Sequence, residues 1–65
     1  MNIRERLKAL GKTQVWLIKE LQHYKISVPT SEMSYILSGV LTTPKAKRVL
    51  TLCDAILKEQ EDAES

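Results

Sequence analysis

Apolar residues recur along this chain at intervals of three and four, in four runs divided by short polar segments. That spacing places each run's apolar side chains on one face of a helix, and few alternating β-branched runs compete with it. The first run predicts a helix from Ile3 to Leu10, with Ile3, Leu7 and Leu10 inward and Arg4, Glu5, Arg6 and Lys8 facing water. Asn2 can cap it, Glu5 sits where a capping-box carboxylate reaches back, and Gly11 can take the left-handed stop. The second run opens on Thr13, a good N-cap, and extends to about Tyr24, with Leu17, Leu21 and Tyr24 as its inner stripe and Ile18 alongside. Residues 25–29 form a turn, because Pro29 disfavours helix at Val28 and has no backbone hydrogen to donate.

The third run predicts a helix over about Thr30 to Ser38, ended by Gly39. Met33, Ile36 and Leu37 pack inward, while Ser31, Glu32, Ser34, Tyr35 and Ser38 stay outside; Val40-Leu41 then returns to the core. Thr43-Pro44 is a second strong start, a cap followed by proline at the first helical position. The fourth helix runs from Pro44 to about Glu59 on the stripe Ala46, Val49, Leu50, Cys53, Ile56 and Leu57. Past Gln60 the chain is polar and acidic and is expected to be disordered. The expected fold is therefore all-α: one compact four-helix domain over residues 1–59 and an acidic tail over 60–65. Neither a repeat nor a long linker divides it.

Composition narrows the classes. Sixty-five residues allow one domain, and a chain of this size buries only about 60% of its unfolded surface, so the core must be efficient. With 43% hydrophobic and 28% charged residues it reads as an ordinary soluble domain. The single Cys53 excludes an internal disulfide, and one cysteine with one histidine, His23, makes no zinc site. A reducing cytoplasm is the expected compartment. The longest apolar run, Val15-Trp16-Leu17-Ile18, is far too short for a membrane span, and the charged opening segment reads as no secretory leader.

Charge is unevenly distributed. Residues 1–58 hold all ten lysines and arginines against four acidic residues, Glu5, Glu20, Glu32 and Asp54, a balance of +6. Residues 59–65 add Glu59, Glu61, Asp62 and Glu64. A basic globule with an acidic end suits a polyanionic partner, although a solubilising surface with a frayed end has the same composition.

Two capped helices joined by a turn, the second closed by glycine, form the pattern of a helix-turn-helix. The chain resembles the lambda-repressor-like helix-turn-helix family, of the Cro and repressor type, over about residues 3–57. The residues that carry the resemblance are Thr13-Gln14, Leu17-Ile18 and Leu21, then Met33, Ile36 and Gly39, and finally Pro44, Val49-Leu50 and Ile56-Leu57. Leu21 to Gly39 is longer than the family's tight spacing, and the pattern has no clear fifth helix. The resemblance implies the compact helical DNA-binding domain of phage repressors and many bacterial regulators, and the brevity of the chain with its repressor-like pattern suggests a phage or mobile-element origin. It further implies that Gln14, Ser31, Glu32, Ser34 and Tyr35 face double-stranded DNA.

The chemistry of those residues is compatible with that role. Gln14 can hold a phosphate or read adenine, Thr30 or Ser31 can cap the third helix and touch phosphate, and Glu32 can accept from a cytosine amino group. Ser34, Tyr35 and Ser38 offer hydroxyls. The third helix itself carries no lysine or arginine. Its cations come from Lys12 beside Thr13, and from Lys45, Lys47 and Arg48 after the exit loop Thr42-Thr43, a candidate phosphate clamp. For any one of these residues a solvated helix face is the plainer reading. Trp16 points off the inner stripe and either covers a neighbouring helix or contacts a partner. Cys53 reads as a small core hydrophobe, and His23 as a surface group in the last turn of helix 2. Neither a phosphate loop, a paired carboxylate site nor a nucleophilic triad is evident, so no enzyme, cofactor or metal is expected.

Two functions from different classes follow. One is a sequence-specific transcriptional regulator that docks the third helix in the major groove, as a homodimer at least on DNA. The other is a protein-interaction module, an antirepressor or adaptor, on the same scaffold without DNA reading.

Overall fold

The computed structural model describes residues 2–64. They form α1 (Ile3–Ala9), α2 (Gln14–Gln22), α3 (Thr30–Leu37) and α4 (Pro44–Glu64), with no strand among them. Met1 and Ser65 lie outside the described residues, and with Ser65 the end of the expected disordered tail.

Local chemistry starts and stops the helices. The Asn2 side chain accepts from the Glu5 amide at 2.9 Å, and the Thr13 hydroxyl accepts from the Trp16 amide at 3.1 Å. Thr43 does the same for the Ala46 amide at 3.2 Å. Each satisfies one amide that the helix geometry leaves without an internal partner. Helix α3 differs. Its N-cap is Pro29, and no side chain caps it. Thr30 and Ser31 were expected to supply that cap. Because the helix already begins at Thr30, their hydroxyls sit inside the first turn instead of ahead of it.

Three helices end in one device. In α1 the Lys12 amide donates to the Leu7 carbonyl and Gly11 to Lys8; in α3 Val40 donates to Tyr35 and Gly39 to Ile36. These are Schellman closures, with Gly11 (φ 71°) and Gly39 (φ 81°) in the left-handed position. Helix α2 closes identically, Ile26 donating to Leu21 and Lys25 to Gln22, but the left-handed residue is Lys25 at φ 61°. A side chain there is strained by about 1–2 kcal/mol, so something must compensate. The compensation is Ile26, which packs against the core, and Val28, which is buried in it.

The closing turn also holds Tyr24. The His23 and Tyr24 amides donate to carbonyls three residues back, and Tyr24 lies past the last residue of α2, Gln22. Expected on the inner stripe, Tyr24 is half exposed. Val40, expected to return to the core, is 71% exposed; Leu41 alone packs back.

The core lies where α4 crosses the other three helices. Ala46, Val49, Cys53, Ile56 and Leu57 of α4 are buried with Leu7, Leu17, Ile18, Leu21, Val28, Met33 and Ile36. Trp16 packs partly against this cluster, and the Lys12 ammonium stands 5.4 Å over its ring. The Cα radius of gyration, 11.0 Å, equals the roughly 11 Å of a fully packed chain of this length.

Helix α4 runs beyond the expected end near Glu59, through the segment expected to be disordered. The cause lies in α1. Arg6 donates from Nε and Nη2 to the two carboxylate oxygens of Glu61 (3.2 and 2.7 Å) and from Nη1 to Asp54 (2.5 Å). A forked guanidinium holding the last turns of α4 opposes fraying there. The pairing holds Glu61 below the ordinary carboxylate range and raises Arg6 further above its own.

Candidate nucleic-acid interface

Helix periodicity sets what α3 shows to solvent. Ser31, Ser34, Tyr35 and Ser38 stand three, four and seven positions apart on one face, opposite buried Met33 and Ile36. Ser31 and Ser38 are exposed, and Tyr35 is 55% exposed. Ser34, between them, is half-buried. The capless first turn of α3 leaves its leading amides pointing forward beside Thr30 and Ser31, both exposed.

One flank of the stripe is built by three helices meeting at Ser34. The Gln14 side-chain amide, at the start of α2, donates to the Ser34 hydroxyl and to the Thr30 carbonyl, each at 3.2 Å. From α1, Arg4 Nη2 donates to the Ser34 carbonyl at 3.2 Å. The same carbonyl accepts from the Ser38 amide (3.0 Å) and the Ser38 hydroxyl (2.9 Å). Ser38 therefore turns its hydroxyl back onto its own helix, a common habit of serine in a helix. Gln14 enters the site as a strut between α2 and α3.

The other flank carries charge that is already partnered. Lys45, at the start of α4, stands 3.3 Å from the Glu32 carboxylate and donates to the Ser27 carbonyl at 3.3 Å. Of the clamp expected from Lys45, Lys47 and Arg48, one member thus holds the turn before α3 and neutralises the only acid on that helix. Lys47 and Arg48 are exposed on α4. Thr43 is occupied as a cap, its neighbour Thr42 is exposed, and Thr13 is occupied as a cap on α2. Lys12 lies over Trp16.

The structure thus gathers Gln14, Thr30 and Ser34 into one bonded group, with Ser31, Tyr35 and Ser38 beside it on the open face. It places Lys45 with Glu32 at the edge. Sequence reasoning missed Arg4, which the helical wheel of α1 assigned to water. Its local signal was only that Asn2 fixes the register of α1; which neighbour Arg4 meets depends on how α1 and α3 lie together.

The remaining reactive groups lie apart from this face. Burial pushes the Cys53 thiol up to about 12, leaving it protonated and unreactive at neutral pH. His23 is exposed, 3.5 Å from Glu20. Among the described residues no cluster of histidine, cysteine and carboxylates is placed to hold a metal, and no helix is long and apolar enough to cross a membrane. Comparison with known protein families, curated proteins and solved structures finds no match to this chain.

Proposed function

We propose that this chain is a small DNA-binding transcriptional regulator of the repressor type, from a phage or mobile element, which docks α3 in the major groove. The observation that supports it is the outward face of α3, where exposed Ser31 and Tyr35 stand beside a Ser34 braced by Gln14 from the preceding helix. Hydroxyls donate to and accept from base edges, and the tyrosine ring can meet a thymine methyl. Affinity comes from the surrounding cations and their release of counterions from the duplex. One such domain spans few bases, so a homodimer on a two-fold site is the working form.

Selection from a random duplex pool followed by a salt titration tests this. Wild-type chain enriches a symmetric site, and its affinity falls linearly with salt on logarithmic axes. Tyr35→Ala weakens that site about tenfold, the scale of one lost base contact, with helical circular dichroism unchanged. A chain that enriches no duplex overturns the reading. That outcome favours the protein-interaction module, an antirepressor or adaptor, which the pairing of Lys45 with Glu32 and the lack of any cation on α3 also suit.

A further inference from the structure

We infer that Arg4, a residue of α1, belongs functionally to the α3 face and supplies its contact with a backbone phosphate of the duplex. This rests on the docking reading and adds to it a residue that no feature of α3 itself supplies.

Position comes first. Arg4 is thirty residues from Ser34 in sequence, yet its guanidinium is tied to the Ser34 carbonyl at the edge of the open stripe. The tie orients the group without neutralising it. A carbonyl is a dipole, and this one is shared with the amide and hydroxyl of Ser38, so the arginine keeps its full charge. An arginine has five N–H donors, of which this bond uses one. No carboxylate among the described residues pairs with Arg4, and the adjacent Glu5 points elsewhere around the helix.

Comparison with the other cations singles Arg4 out. Arg6 is held between Asp54 and Glu61, Lys45 by Glu32, and Lys12 lies over an aromatic ring. Lys47 and Arg48 are exposed, but no bond ties them to α3. Arg4 combines a fixed place beside the stripe, an uncompensated charge and a planar fork that fits a phosphate. A ligand that meets Ser31 and Tyr35 with its bases brings its phosphates to the flank where Arg4 waits.

The test uses the full chain and the duplex that the wild-type protein enriches, with binding followed by anisotropy over a salt series. Arg4→Gln removes the charge, and its shorter amide gives up the tie to the Ser34 carbonyl as well. It should weaken binding about tenfold near physiological salt and reduce the salt slope by about one. Arg4→Lys should retain the slope, and Lys58→Ala, on the outer side of α4, should leave slope and affinity unchanged. An unchanged slope in Arg4→Gln overturns the assignment, whether or not affinity drops, because a positioning role alone releases no counterion. Failure of the wild-type chain to enrich any duplex would instead overturn the docking reading itself, and is seen before any variant is made.

Discussion

Two arginines stand two positions apart on α1 and serve opposite ends of the molecule. Arg6 is 14% exposed and is forked onto Glu61 and Asp54, so its charge is satisfied inside the chain and the C-terminal turns of α4 are fastened to α1. Arg4 is exposed and rests on one carbonyl of α3, its charge uncompensated. A helix turns by about 100° per residue, so two positions separate these side chains onto opposed sides of α1. One short helix thereby divides the molecule into a side where charge is used for cohesion and a side where it is left without a carboxylate. The same division directs the acidic residues: Asp54 and Glu61 meet Arg6, away from the stripe on α3.

The largest effect should appear when each arginine is removed in turn. Arg6→Ala leaves Glu61 and Asp54 without their cation and releases the stem that lies along α1. Both carboxylates are substantially exposed, so solvent screening keeps the loss small, a fall in Tm of no more than a few degrees in a domain of this size. Amide exchange should quicken over residues 60–63 before it does so in α2. Arg4→Gln should change stability by less than about 0.5 kcal/mol, as surface substitutions do. Equal shifts in Tm for the two variants would abolish the division between a cohesive and an outward arginine.

Acid titration sharpens the cohesive half. Arg6 holds the Glu61 carboxyl below its ordinary value of 4.5 in the folded chain. On acidification the unfolded chain therefore takes up this proton first. The stabilisation is complete above about pH 5 and drains away as the pH falls through the depressed folded value. Thermal unfolding of wild type and Glu61→Gln should differ at neutral pH and converge in acid. A gap that stays constant on acidification would mean that the charge of Glu61 contributes nothing to stability.

These two halves were unequally legible in the sequence. Caps and stops are local chemistry, so Asn2, Thr13, Thr43, Gly11 and Gly39 could be read directly and the four helices with them. Lys25 could not be read as a stop, because its left-handed backbone is imposed by the burial of Val28 and the packing of Ile26. Tyr24 is half exposed because α2 ends at Gln22, and the wheel that places it inward does not extend past that end. The extension of α4 depends on a bond between residues fifty-five positions apart, and a polar, acidic segment gives no sign of it. In the candidate interface, periodicity alone exposed the α3 stripe. Arg4 and the Lys45–Glu32 pair needed the packing of α1 and α4 against α3.

Lys45 occupies the middle ground between the two arginines, and the smallest effect is expected there. It is half exposed and paired with Glu32, whose carboxylate sits in the first turn of α3, where the helix dipole favours it. Glu32→Gln removes a charge that repels phosphate and frees the ammonium to meet one. It also removes a favourable dipole contact and an exposed ion pair, together worth a few tenths of a kcal/mol to about 1 kcal/mol. The folded state should therefore weaken slightly while affinity for any duplex rises about two- to fivefold, with a salt slope steeper by up to about one. Because a glutamate aimed at a base edge would discriminate as well as repel, the enriched site and a scrambled duplex should be measured side by side. A gain on both assigns Glu32 to charge balance. A loss confined to the enriched site assigns it to base reading, and places Lys45 with Arg6 among the cations that hold the fold together.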